Sequence, residues 1–350
     1  ALKERIQRYT TALADWKGQH GTLPKGQSRA SAMDQWQRDL AAHYGYSALL
    51  VGKLSALFGT KEAVEFFEAN EAPRPVTLRV NTLKTRRRDL MAALAARGVG
   101  MQALPWSDVA VQVFDTPVPI GATPEYMAGH YLLQAPASLL PVMALDPQPG
   151  SRVLDLSAAP GGKTTHLAAL MRNTGVLFAN DFSRARLRAL VANCHRMGVR
   201  NAVVCCHDAR HVPAVMRGFD RVLLDAPCSG TGVISKDPSV KTANTERDFA
   251  ALTHRQKELI LAAVDATAPG GFLVYSTCSV TVEENEEVVA YALAKRPLLK
   301  LVDTGLPFGK PGFTAFTGRH FPHALALTRR FYPHAHNMDG FYVAKFLKQS

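Results

Sequence analysis

Cysteine, acid and long apolar runs are all scarce in this chain, and each scarcity removes a class of protein. The five cysteines, Cys194, Cys205, Cys206, Cys228 and Cys278, form neither an even set nor a CxxC pattern. Disulfides are therefore not expected, and a reducing compartment is. No apolar segment approaches the ~20 residues that cross a bilayer. No signal-peptide pattern opens the chain either, so a soluble protein without a membrane partner is expected. His320, His323, His334 and His336 have no cysteine beside them and lack the spacing of common zinc sites, so no metal is expected. Acid is outnumbered, 29 Asp and Glu against 41 Lys and Arg, and the net charge of +12 implies an anionic partner, nucleic acid foremost.

What is present organises into three stretches. Residues 1–70 are rich in Ala, Leu, Gln and charge, and ALLVGKLSALFG and EAVEFFEAN carry helical spacing, so a helical region without a catalytic motif is expected. Over 71–140 the β-rich runs VTLRVNTL and VAVQVF flank a helix RRDLMAALAARG that ends at Gly98, which predicts a small α/β module. That module is basic: from Arg74 to Arg97 there are seven Lys or Arg residues against one acid, Asp89. Clustering of this kind suits phosphate contact. Arg79, Asn81, Lys84, Arg86, Arg87 and Arg88 are the candidates to position a nucleic acid. Over 141–350, strands SRVLDL, VLFAND, NAVVCC, DRVLLDA and FLVYSTC alternate with helices, which predicts an α/β fold with a parallel, doubly wound sheet.

In such a fold ligands gather at the carboxyl ends of the strands, and the chemistry-bearing residues lie there. The first strand ends in Asp155 and the loop SAAPGGKTT, where Gly161 and Gly162 permit close backbone approach and Lys163 opens a helix. The string Ser157–Thr164 misses the phosphate-binding GxxxxGK[ST] pattern at its first position, and GxGxxG is absent. Acids follow successive strands at Asp181, Asp208 and Asp225. A cationic, ribose-bearing ligand suits a loop of small residues (Ser157, Ala158, Ala159, Pro160, Gly161, Gly162) faced by carboxylates, so S-adenosyl-L-methionine is preferred over a nucleoside triphosphate. Cys228 and Cys278 each follow an apolar run and sit in a turn, where a thiolate can add to an electron-poor pyrimidine ring. Cys194, Cys205 and Cys206 read as core. Thr281 and Glu284 have capping-box spacing and read as structural.

The motifs DLSAAPGGKTT, LLDAPCSGTG and YSTCSVTVEENE resemble the signatures of the Sun/Fmu family of RNA cytosine-5 methyltransferases. EAPRPVTLRVNTLKTRRRDL, GTGVISKDPSVKT and TRRFYPHAHNMDGFYVAKF are similar to its nucleolar proliferation-antigen branch, which modifies large-subunit ribosomal RNA. The resemblance runs from about Tyr46 to Lys348. It implies a Rossmann-like class I methyltransferase with a parallel-rich sheet, an amino-terminal helical region and an RNA-recognition-like module. It also implies a nucleolar site of action and a monomeric catalytic unit. By the same resemblance Ser157 to Lys163, Asp181, Arg186, Asp208 and Asp225 line the S-adenosyl-L-methionine site, Cys278 attacks the base and Cys228 assists release. Asp225 is the candidate to hydrogen-bond the base. The residues alone do not order the two thiols. Alternatives are a family member acting on tRNA, a catalytically idle RNA-binding assembly factor and, more remotely, a P-loop-like ATPase.

Overall fold

A computed structural model describes residues 1–350. The helices Leu2–Ala14, Arg29–Tyr44 and Ala48–Glu71 pack together at the amino terminus. Ser28 and Ser47 cap the second and third, each hydroxyl accepting from a backbone N–H three residues on. The third bends at Gly59, whose φ of 72° favours glycine. These helices are more than an edge. Their core, built on Trp36, Phe66 and Phe67, also takes in Ile234, Val240, Val280 and Tyr332 from the far half of the chain. Val280 stands two residues after Cys278, so a stretch with no motif of its own buttresses a thiol loop.

Strands β1 (Val76–Val80), β2 (Gly100–Ala103), β3 (Ala110–Asp115) and β4 (Tyr131–Leu133) form an antiparallel sheet in the order β2-β3-β1-β4. The strand alternation divides β1: Leu78 and Val80 pack with Leu90 and Leu94 of the helix Arg87–Ala95, and Thr77 and Arg79 take the opposite face. That face is covered by the larger sheet's layer, and this corrects the RNA-contact expectation for two residues. Arg79 is buried and donates to Gln134 Oε1 at 2.7 Å, to Thr165 Oγ1 at 2.6 Å and to the Gly162 carbonyl. Asn81 is buried and donates to the carbonyls of Gly129 at 2.8 Å and Met197 at 2.7 Å. The Lys84 ammonium caps the carbonyls of Ala128 at 2.8 Å and Arg196 at 2.6 Å, and Arg87 donates to the Ser107 carbonyl at 2.5 Å. Arg86 and Arg88 remain at the surface, Arg88 beside Asp89. A period of two shows which residues share a face, not what covers that face.

The five expected strands are β5 (Arg152–Asp155), β6 (Val176–Asn180), β7 (Ala202–Cys205), β8 (Phe219–Asp225) and β9 (Thr267–Thr277), all parallel to one another. Their order β7-β6-β5-β8-β9 reverses between β5 and β8, which opens a crevice at the carboxyl ends of those two strands. The sheet then continues in the antiparallel sense. After β10 (Leu299–Val302), β11 (Lys310–Pro311) and a small hairpin of β12 (Ala315–Phe316) and β13 (Arg319–His320), β14 (Arg329–Phe331) and β15 (Phe341–Lys348) complete it. β15 pairs antiparallel with β9, β10 and β14. Residues 332–340 between β14 and β15 are too short for the crossover a parallel pair needs. β7 is an edge strand, so Val203 and Val204 are exposed and Cys205 and Cys206 are half-buried, not core as expected; Cys194 is buried. No helix is long and apolar enough to cross a membrane.

Candidate active site

Because β8 and β9 are parallel neighbours, with Asp225 opposite Ser276, the turns that follow them open side by side. Cys228 lies in the first and Cys278 in the second, and their Sγ atoms stand 3.1 Å apart with both thiols free. The turns are stitched by Gly232 N donating to the Cys278 carbonyl and Gly340 N donating to the Gly232 carbonyl, each at 2.8 Å. A Cβ on Gly232 would stand 2.0 Å from the Gly340 carbonyl oxygen, so only glycine permits this approach. The Cys228 thiol is pushed well above the usual thiol range. The causes in order are its hydrogen bond with Cys278, burial, and the negative charges of Cys278 and Glu284.

Beside the thiols the Lys163 ammonium donates to Asp225 Oδ2 at 2.6 Å, and Ser276 Oγ donates to Asp225 Oδ1 at 2.7 Å. Burial disfavours the Lys163 charge, but the charge and hydrogen bond of Asp225 outweigh it, and the ammonium is held above its ordinary range. Lys163 thus bridges the loop after β5 and the thiol turns.

That loop is tied to the next strand: Ala158 N donates to the Asn180 carbonyl at 2.8 Å and Ala159 N to Asp181 Oδ2 at 3.2 Å. Gly161, at φ 103°, precedes the helix Gly162–Leu170, and a Cβ there would meet Leu190 Cδ1 at 2.9 Å. Asp181 is buried, accepts from Ser183 N at 3.0 Å and faces Arg186 at 3.3 Å; Arg186 also donates to the Ala159 carbonyl at 2.6 Å. Asp208 is gripped by Arg210, at 2.6 Å from Oδ2, which with the Arg210 backbone N–H holds its carboxyl down at about 2.

A cleft of about 360 Å³ joins these parts. Ser157, Ala159, Asp181, Arg186, Asp208 and Asp225 line it together with both cysteines. A second cavity, of about 290 Å³, lies across the loop, where Ala158, Pro160, Gly162 and Lys163 meet Gln134 of the small sheet's layer. Every expected cofactor-loop residue except Gly161 lines one or the other; Gly161 shapes the turn. The RNA candidates Arg79, Asn81, Lys84, Arg86, Arg87 and Arg88 line neither.

Sequence reasoning missed two buried residues here. Glu284 does not form a capping box with Thr281, because the following helix, Glu286–Lys295, starts later and has Asn285 as its N-cap without a side-chain cap. Thr281 Oγ1 donates to the Glu284 carboxylate instead, at 2.9 Å. Gln256, on the helix Glu246–Ala266, donates to the Pro227 carbonyl at 2.8 Å and to Glu284 at 3.0 Å. The acid three places after Thr281 was the available signal, and it fits both a cap and a hub.

Asp155, under the loop, accepts from Thr164 Oγ1 at 2.8 Å, while its Oδ1 has no partner. Burial pushes its carboxyl up from 3.8 to about 7. A group raised in the folded state takes up a proton on folding between those values. Its contribution is full below the unfolded value and is lost as pH rises through the folded one. Relative to Asp155→Asn, the wild type should therefore lose stability from about pH 4 to about pH 7, by at most about 1.4 kcal/mol per pH unit. Urea titrations at four pH values measure this, and parallel curves for the two proteins would refute it.

Comparison with known proteins follows the same lines. Residues 142–347 match the 16S rRNA methyltransferase RsmB/F family, and residues 46–121 match the RsmF/B-like ferredoxin-like domain. The whole chain aligns at 58% identity with 58% of the 25S rRNA (cytosine-C(5))-methyltransferase nop2 of Schizosaccharomyces pombe. It aligns at 56% with 43% of the 28S rRNA (cytosine(4447)-C(5))-methyltransferase of Homo sapiens. The chain thus spans about half the length of the curated relatives it matches. A solved methyltransferase homolog protein from Pyrococcus horikoshii superposes with a TM-score of 0.81 at 37% identity, over 89% of this chain and 98% of that one. A Rossmann-like sheet with the thiol pair at its crevice, a family match over residues 142–347 and high identity along the whole length agree: the chain belongs to the 16S rRNA methyltransferase RsmB/F family.

Proposed function

We propose that this chain is the catalytic part of an S-adenosyl-L-methionine-dependent RNA cytosine-5 methyltransferase that acts on large-subunit ribosomal RNA. The observation that carries the reading is the pair of free thiols 3.1 Å apart beside the Lys163–Asp225 pair. The substrate class rests on the named activities of the 25S and 28S relatives. The same reading implies a nucleolar site of action.

The cleft suits the methyl donor by its chemistry. Asp181 and Asp225 present carboxylates to a ligand that is cationic at sulfur, the Ser157–Ala159 backbone is free of bulk, and the exposed Phe182 ring forms an apolar wall. Ser157, Ala159, Asp181, Arg186 and Asp208 would hold it, and when bound it supplies an electrophilic methyl group. The protein's own part is nucleophilic and acid–base work. The Cys278 thiolate adds to carbon 6 of cytosine, which turns carbon 5 into the nucleophile. Asp225, held by Ser276 and Lys163, faces the same cleft and is placed to hydrogen-bond the base edge. After carbon 5 has been methylated, Cys228 takes the proton from that carbon. The C–H electron pair restores the 5,6 double bond, and the Cys278 sulfur–carbon bond breaks. Because attack comes from above the ring plane, the base must leave any stack, which favours a single-stranded or looped target.

Bisulfite sequencing of large-subunit ribosomal RNA from cells with and without the protein tests the reading. One or a few cytosines should lose their protection from deamination when the protein is absent. An unchanged pattern would overturn the ribosomal assignment.

A further inference from the structure

We propose that Glu284 is the positioning residue of the thiol pair, its one buried carboxylate pinning the Cys228 and Cys278 turns against each other. The catalytic meaning of this role rests on the methyltransferase reading above, but the positioning itself does not. Glu284 is wholly buried. Its Oε1 accepts from Ser229 N at 2.8 Å and Gln256 Nε2 at 3.0 Å. Its Oε2 accepts from Ser229 Oγ at 2.6 Å, Thr281 Oγ1 at 2.9 Å and Ser279 Oγ. Ser229 and Ser279 are the residues immediately after the two cysteines, so a single group fixes the chain one residue away from each thiol. Gln256 extends the grip to Pro227, on the other side of Cys228.

The chemistry of the hub requires an acid. All five partners donate, and a carboxylate offers only acceptors, whereas an amide would turn an NH₂ toward donors already pointing inward. Glu284 forms no ion pair with any Lys, Arg or His, so neutral donors alone balance its burial. A structural core does not need such an arrangement; apolar residues would hold two turns together at less desolvation cost. The carboxylate has a second consequence. Its charge adds to the causes that keep the Cys228 proton in place, while the Lys163 ammonium stands on the Cys278 side. Ionisation of Cys228 is therefore disfavoured, which accords with the reading in which Cys278 attacks and Cys228 acts later.

The test uses the purified chain, without RNA or methyl donor. Diamide accepts two electrons and two protons as the two thiols join, so the rate of Cys228–Cys278 disulfide formation, followed by mass spectrometry, reports how well the sulfurs are opposed. Iodoacetamide labelling across pH reports which sulfur is the thiolate. Glu284→Gln should slow disulfide formation by about tenfold and lower the pH midpoint of Cys228 alkylation; Glu284→Asp, which keeps the charge, should restore the midpoint. A Glu284→Gln protein with native circular dichroism and the wild-type rate and labelling order would overturn the proposal. If that variant does not fold, Gln256→Met decides. It removes the bonds to Pro227 and Glu284 together with an acceptor that has no partner. It should slow disulfide formation at least about threefold, since two hydrogen bonds are lost, one of them to a carboxylate, and an unchanged rate would refute the proposal. If methyl transfer is absent while these results hold, the functional reading fails and the positioning role stands.

Discussion

On the proposed reading, replacing Cys278 by alanine should take methyl transfer below detection, whereas Cys228→Ala should leave RNA covalently attached to the protein. The two outcomes differ because the two sulfurs, only 3.1 Å apart, sit in different fields. Cys278 has the Lys163 ammonium on its side, and Cys228 has burial and the Glu284 charge against its ionisation. Without the Cys278 thiolate, carbon 5 is never activated, and the loss should reach at least about 10³-fold, the scale on which single catalytic groups act. Without Cys228, addition and methylation should proceed, but the proton on carbon 5 would lack an acceptor and the sulfur–carbon bond should persist.

The timing of Cys228 follows from the same geometry. Its hydrogen bond with Cys278 and the negative charge of Cys278 are among the causes that hold its proton. Once the Cys278 sulfur is bound to carbon 6 it no longer carries that charge, so Cys228 becomes easier to ionise at the step that needs a base. Denaturing electrophoresis of labelled RNA after incubation with each variant checks this, and an adduct with Cys278→Ala in place of Cys228→Ala would reverse the assignment.

Much of the arrangement was legible because it depends on short-range pattern. Five strand-length apolar runs separated by helical stretches give β5 to β9, and residues at strand ends fall at the crevice by topology, so Asp181, Asp208, Asp225, Cys228 and Cys278 appear together without any packing detail. The antiparallel strands β14 and β15 were less visible. FYVAKFLK is buried along most of its length and lacks alternation, and TRRF looks basic and exposed, although Arg330 is buried. Charge misled in the same way at Arg79 and Asn81, where a basic, strand-forming stretch looked like a phosphate-binding surface and proved to be an interlayer contact. Glu284 was hidden for a related reason. Its partners come from the turns at 229 and 279 and from the helix Glu246–Ala266, and no local spacing announces a contact between residues 55 positions apart.

Arg330 and Glu286 carry the other large expected effect, on stability. Both side chains are essentially without solvent exposure, and the guanidinium forks onto the carboxylate, with Nε at 2.6 Å from Oε1 and Nη2 on Oε2. Arg330 also donates to the Val280 carbonyl at 2.8 Å and the Tyr332 hydroxyl at 3.1 Å, and Phe313 N donates to Glu286 at 3.0 Å. The pair therefore joins β14, the helix Glu286–Lys295 and the turn that carries Cys278. Arg330→Met removes the cation and leaves a carboxylate in a dry site, with only the helix amino terminus and Phe313 N to offset it. Breaking one side of a buried pair costs about 3–5 kcal/mol, whereas replacing both sides by apolar groups is often close to neutral. The single variant should lose about that much in urea unfolding, and Arg330→Met combined with Glu286→Leu should recover most of it. A double variant as unstable as the sum of its singles would show that the pair acts through packing and not through charge. If the recovered double variant also regains the wild-type rate of Cys228–Cys278 disulfide formation, the ion pair holds the Cys278 turn only through overall stability. If it stays slow, the Arg330 bond to the Val280 carbonyl is itself part of what places the sulfur.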